Sequence, residues 1–114
     1  MKYMLLIHGS EARSRFEELG ADEQNAILGE YFAINELPGV LGGAQLQPPE
    51  TATTVRVEDG RTLTTDGPFI EAKEALGGYY VYEADNLDAA LEVAARIPAA
   101  RMGGAIEVRP VVER

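Results

Sequence analysis

The run Asp66 to Tyr82, DGPFIEAKEALGGYYVY, constrains the fold of this chain more than any other stretch. Asp66 and Gly67 are turn formers. Pro68 fixes its own φ and pushes Gly67 towards an extended conformation. Phe69, Glu71, Lys73 and Glu74 then gather charged and aromatic side chains in a short span. Gly77-Gly78 permits a close backbone approach or a bulge, and Tyr79 to Tyr82 is strongly strand-like. A charged loop between two strands is where binding and catalytic groups concentrate.

The segments around that run read in order. Lys2 to His8 is apolar on both faces, as expected of a central strand covered on both sides. Gly9 to Gly20 reads as a loop with a helical turn around Ser14 to Leu19. Ala21 to Leu37 is the first helix, capped by Asp22, with an apolar stripe of Ile27, Leu28, Tyr31, Phe32, Ile34 and Leu37; Pro38-Gly39 stops it. Val40 to Gln47 is a strand weakened by Gly42-Gly43, with room for a bulge, and Pro48-Pro49 ends it. Thr51 to Val57 and Thr62 to Asp66 are strands joined by the Asp59-Gly60 hairpin signal. Leu76 to Glu83 is the next strand. Asp85-Asn86 caps a second helix that runs to Ile97, with a stripe of Leu87, Ala90, Leu91, Ala94 and Ala95. After a loop from Ala99 to Gly104, Ala105 to Val112 is the last strand.

The order is β-α-β-β-β-β-α-β. With the middle hairpin set aside it is a split β-α-β pattern used twice, the ferredoxin-like plan of an α+β domain. Both helices then cover one sheet face. The other face is expected to carry Thr64, Asp66, a tyrosine, Glu107 and Arg109 among apolar residues. Such a face needs a cover, and a second copy of the chain is the simplest one.

At 114 residues the chain is one domain. A net charge of −9 and the lack of a Lys/Arg cluster argue against a nucleic-acid partner. There is no cysteine, so there is neither a disulfide framework nor thiolate chemistry. The opening MKYMLLIHG is too short an apolar run for a membrane span and is followed by no small-residue cleavage site. These features fit a soluble cytoplasmic protein with no membrane association.

The pieces MKYMLLIHG, LGGAQLQP, TDGPFIEAKEALGGYYVYEADNLDAALEVAARIP and GGAIEVRPV resemble the YCII-related family, in its DGPF-domain branch, over nearly the whole chain. The resemblance implies a dimeric α+β barrel built on the ferredoxin-like unit, with two sheets face to face. It also implies a pocket between the sheet, the DGPF loop and the last strand. A few relatives in the wider superfamily are small-molecule enzymes with a His-Asp pair whose His lies on the first helix. This sequence departs there, since its sole His is His8, on the first strand. Members of the DGPF branch are also often associated genomically with extracytoplasmic-function sigma factors, so the resemblance implies a regulatory or stress context, although a shared fold is a weak warrant for function.

Each candidate residue has a chemical and a structural reading. Asp66 is a general base or ligand-binding carboxylate, or else an Asx-type turn cap. Glu71, Lys73 and Glu74 wall a polar pocket beside Phe69, with Lys73 on an anionic or carbonyl group, or else form a solvated loop whose ion pairs contribute ~0–1 kcal/mol. His8 titrates near neutral pH and falls at a strand end, where it serves as acid/base or is simply satisfied. Arg109 holds an anion, or pairs with Glu107, Asp66 or Glu71. One His and no Cys give no support for a metal site.

The expected function is a homodimeric small-molecule binder or enzyme with no tightly bound cofactor. If catalytic, it performs an isomerase- or lyase-like proton transfer on a small polar metabolite. Asp66 or His8 is then the acid/base, and Lys73 or Arg109 the anion holder. The alternative is a non-catalytic regulatory or protein-interaction module in a sigma-factor pathway.

Overall fold

A computed structural model describes residues 1–69 and 75–114. The elements are β1 (Lys2–His8), α1 (Ser10–Glu18), α2 (Ala21–Asn35), β2 (Val40–Gln45), β3 (Thr53–Glu58), β4 (Arg61–Asp66), β5 (Leu76–Glu83), α3 (Leu87–Arg96) and β6 (Ala105–Pro110), with single 3₁₀ turns at Pro49–Thr51 and Pro98–Arg101. Strands β2-β5-β1-β6 form one antiparallel sheet in that order, while β3 and β4 form a separate two-stranded ribbon. The α+β, ferredoxin-like plan is therefore present, with the ribbon inserted between β2 and β5.

β1 and β5 are the inner strands of the sheet, each pairing on both sides. Leu5 sits opposite Tyr80 on β5 and Val108 on β6. Alternation then sends Tyr3, Leu5 and Ile7 to one face and Met4, Leu6 and His8 to the other. The first set packs under the helices. Tyr3, Leu5 and Tyr80 join Ile34 of α2, Ala90, Val93 and Ala94 of α3, and Ile97 and Ala99 beyond it in a single core. On the opposite face Met4, Leu6, Tyr79 and Val81 are half-buried, and none of the described helices covers them.

Several sequence expectations need correction. Ser10 to Glu18 is a helix rather than a loop. Its i,i+4 pairs, Arg13–Glu17 at 3.1 Å and Arg15–Glu11 at 2.6 Å, support a helix too polar to show an apolar stripe. Helix α2 is capped at Gly20, which places Asp22 in its first turn, where a carboxylate suits the helix dipole. Its inward stripe is Ile27, Tyr31 and Ile34; Leu28 and Phe32 lie outside it, and Phe32 is 68% exposed. In α3 the inward set is Ala90, Val93, Ala94 and then Ile97, while Leu87 and Leu91 face outward. Thr64 and Asp66 belong to the ribbon, so they do not share a sheet face with Glu107 and Arg109.

Other features follow the local chemistry. The Asn86 side chain caps α3 by accepting from Ala89 N at 3.0 Å. Asp59 and Gly60 both take positive φ, 50° and 77°, as a two-residue hairpin turn of the mirror-image type requires. The β2 register shifts between Val40 and Gly42, the bulge anticipated beside Gly42-Gly43.

Candidate functional site

At one end of the sheet β1 and β2 finish, and β5 and β6 begin. His8 is the last residue of β1, opposite Leu76 and Ala105. The next residue, Gly9, donates its N–H to Ala75 O at 3.2 Å, which ties the strand end to the start of β5. His8 Nε2 lies 3.1 Å from Glu107 Oε1 on the sheet face away from the helices. A carboxylate oxygen accepts, so Nε2 is the donor in this pair. The His8 side chain retains 26% of its exposure and that of Glu107 52%.

Arg109 is two residues beyond Glu107 on β6, facing Met4. Glu107 pairs with His8 and not with Arg109; among the described residues Arg109 makes no ion pair. Asp66 ends β4 opposite Thr53 and is exposed. The described contacts that hold the turn after it come from its neighbours. Gly67, at φ +95°, donates to Ala52 O at 2.7 Å and accepts from Thr54 Oγ1 at 2.8 Å. Phe69 is 68% exposed, with the Arg56 guanidinium 5.5 Å from its ring centroid. Glu71, Lys73 and Glu74 lie outside the described residues.

A groove of about 1070 Å³ opens at the same end of the molecule. It runs between α1, α2, the end of β2 and the start of β5. Ile7 and Gly9, the two neighbours of His8, line it, while His8 itself points to the opposite sheet face. Arg13, Glu17, Tyr31, Asn35 and Gln45 bring polar groups to its walls. Of the residues singled out from sequence, neither His8, Asp66, Phe69 nor Arg109 is among its described lining. The α1 contributors were hidden because that segment reads as a loop; the i,i+4 charge pairs were the signal that could have found them.

Two tyrosines form the inner wall. Tyr80 donates its hydroxyl to the Tyr31 backbone carbonyl at 3.1 Å. Burial pushes the Tyr80 phenol up to about 12, with the neighbouring Tyr31 adding to the effect. Burial raises Tyr31 as well, opposed by a backbone hydrogen bond from Ala99 and by Arg101. Both stay protonated at neutral pH. Among the described residues no cluster of three or more His, Cys, Asp or Glu side chains is arranged to hold a metal ion.

The family model of the YCII-related domain matches residues 1–114. An uncharacterised protein of Rhizobium meliloti (strain 1021) is 33% identical over 117 residues, covering 97% of this chain and 92% of the relative. Among solved structures, the chain is similar to 5-chloro-2-hydroxyhydroquinone dehydrochlorinase (TftG) of Burkholderia phenoliruptrix AC1100, determined in complex with 2,5-dihydroxybenzoquinone. The TM-score is 0.53 at 14% identity, covering 100% of this chain and 96% of that one. At that identity the likeness is one of fold.

Proposed function

This chain belongs to the YCII-related family, and we propose that it is a cytoplasmic, homodimeric α+β barrel that binds a small polar metabolite and acts on it by acid/base chemistry. The observation that carries the chemical part is the His8–Glu107 pair at 3.1 Å, on the sheet face opposite the groove. A base whose ring donates to a carboxylate is held in one tautomer and one orientation. In this reading His8 Nδ1 exchanges the proton, with Asp66 as a second acid/base. Arg109 and Lys73 hold an anionic or carbonyl group, and Phe69, Glu71 and Glu74 complete the wall. The neighbour's complex with a small quinone is the precedent for a ligand on this fold.

The dimer is supported by the sheet face bearing Met4, Leu6, Tyr79 and Val81, which none of the described helices covers. It is also supported by shape. The molecule is 19 Å across its thinnest axis. Its radius of gyration is 15.9 Å, against the about 13 Å of a compact chain near this size. Closing that face would remove water from around His8 and Glu107 and strengthen their attraction. Among the described residues no helix is long and apolar enough to cross a membrane.

The test is thermal unfolding against a panel of small anionic and carbonyl metabolites. A ligand at ~100 times its Kd that binds only the folded state adds about 2.7 kcal/mol. The expected result is a shift that His8→Gln and Asp66→Asn abolish while circular dichroism stays unchanged. A shift that survives both substitutions removes these residues from the site. No shift with any compound, in a protein that instead captures a protein partner through the same loop, makes it an interaction module.

A further inference from the structure

The chain contains two Asp-Gly pairs, Asp59-Gly60 and Asp66-Gly67, and no Asn-Gly. They sit at opposite ends of the β3–β4 ribbon. Asp59 and Gly60 form its tip, beyond the Glu58–Arg61 pair, while Asp66 ends β4 at the base, opposite Thr53. Both aspartates are exposed. Exposure therefore does not separate them, but the main chain does. At the base the Gly67 N–H donates to Ala52 O at 2.7 Å, and the Gly67 carbonyl accepts from Thr54 Oγ1 at 2.8 Å, so the chain is held on both sides of Gly67. At the tip the Gly60 N–H makes no main-chain hydrogen bond among the described residues. Asp59 is also the one non-glycine residue at positive φ among the described residues, at 50°, so its turn is held against a backbone preference. The strands that lead to it are exposed on both faces except at Thr54, and an isolated ribbon opens readily.

We propose that Asp59 is a site of spontaneous covalent modification, isomerisation to isoaspartate, and that the fold protects Asp66, which has the same following residue. In the step the Gly60 amide nitrogen attacks the protonated Asp59 carboxyl group. An N–Cγ bond forms, the C–OH bond breaks, and the hydroxyl leaves with the amide proton as water. Water then opens the five-membered imide. Opening at the N–Cγ bond restores aspartate. Opening between the nitrogen and the main-chain carbonyl carbon of Asp59 leaves the chain running through Cγ, with a free α-carboxylate. One water leaves and one enters, and nothing is oxidised or reduced. Glycine is the favourable attacking residue because it has no Cβ to block the approach. Ring closure needs rotation about the Asp ψ. At the tip that rotation gives up no bond of the attacking N–H, whereas at the base it first breaks the bond to Ala52. The product carries one extra carbon in the main chain of a two-residue turn that depends on two positive φ values, so the ribbon loses the element that sets its register. The turn at the base keeps its aspartate.

The experiment ages the full-length protein for weeks at body temperature near neutral pH in heavy-oxygen water, folded in one sample and unfolded in urea in another. Each ring opening inserts one solvent oxygen, and electron-transfer fragmentation of the peptides separates isoaspartyl from aspartyl linkages. The folded protein should show at least about tenfold more isoaspartate and label at Asp59 than at Asp66, the effect of about two hydrogen bonds that must open at the base. In urea that preference should largely vanish. The matched variants Asp59→Asn and Asp66→Asn report the same ring closure with ammonia leaving in place of water, read as conversion of amide to acid. The first should convert at least about tenfold faster than the second when folded. Equal modification of the two sites in the folded protein, more at Asp66, none at either, or a preference for Asp59 that persists undiminished in urea overturns the proposal.

Discussion

The Tyr80 hydroxyl bonds the main-chain carbonyl of Tyr31 across 3.1 Å, which fastens α2 to the middle of the sheet. Burial holds that phenol at about 12, above its ordinary 10.0. A group whose folded value is raised contributes stability that is whole below the unfolded value and is lost as pH climbs through the folded one. The protein should therefore lose stability between pH 10 and about 12. Tyr80→Phe should cost about 1 kcal/mol at neutral pH and flatten that alkaline decline. Melting curves from pH 8 upward check both; parallel curves for the two proteins would remove Tyr80 from the alkaline limb.

The core is small, so single cavities weigh heavily. Leu5 and Ile97 are both fully buried. Leu5→Ala or Ile97→Ala should each cost about 2–5 kcal/mol, measured by urea unfolding. Leu87→Ala, on the exposed side of α3, should cost well under 1 kcal/mol. Equal costs at the two kinds of position would mean that the inward face of α3 is misassigned.

Asn86→Ala removes the cap of α3 and should cost about 1 kcal/mol, with Asn86→Asp or Asn86→Ser restoring most of it. If all three variants unfold at the same denaturant concentration, the 3.0 Å bond to Ala89 N contributes nothing.

Two glycines should respond in opposite directions. A Cβ on Gly43 would lie 2.3 Å from the Tyr79 carbonyl oxygen and 3.1 Å from Tyr80 Cα, so β2 cannot keep its approach to β5. Gly43→Ala should destabilise by about 1–3 kcal/mol. Gly29, in the interior of α2, meets nothing within 4 Å. There alanine should stabilise by about 0.5–1 kcal/mol, because it lowers the entropy lost on helix formation. Thermal unfolding of the two variants side by side decides it.

Strand positions were legible because each strand carries its own signal: β-branched and aromatic runs, the Asp59-Gly60 turn, and the proline and glycine breaks. The Asn86 cap was legible for the same local reason. What escaped was decided by tertiary contact. Ser10 to Glu18 has few apolar residues, so periodicity was silent and only its charge spacing spoke for a helix. Leu28, Phe32, Leu87 and Leu91 sit at helical spacing but beside the inward stripe, and hydrophobicity alone could not choose which side the sheet takes. The separation of β3 and β4 from the main sheet depends on pairing partners, which a sequence pattern does not name. In the candidate site, His8 was marked as the one neutral-pH titrant, but its partner Glu107 comes from the far end of the chain. The groove is likewise built from segments that meet only on folding.

The first strand of the described order, β1, is one of the two inner strands of the finished sheet. Lys2 pairs with Glu83, and Tyr3 pairs with both Tyr82 and Pro110. Its two described neighbours, β5 and β6, both lie far along the chain. Closing so long a loop is entropically unfavourable before any pairing compensates, so the sheet forms slowly and late. Until the C-terminal residues emerge, the apolar segment Tyr3 to Ile7 has no partner and is open to the wrong ones. A chain truncated before Ala105 leaves one flank of β1 unpaired, and aggregation rather than a folded fragment is the expected fate of such a product.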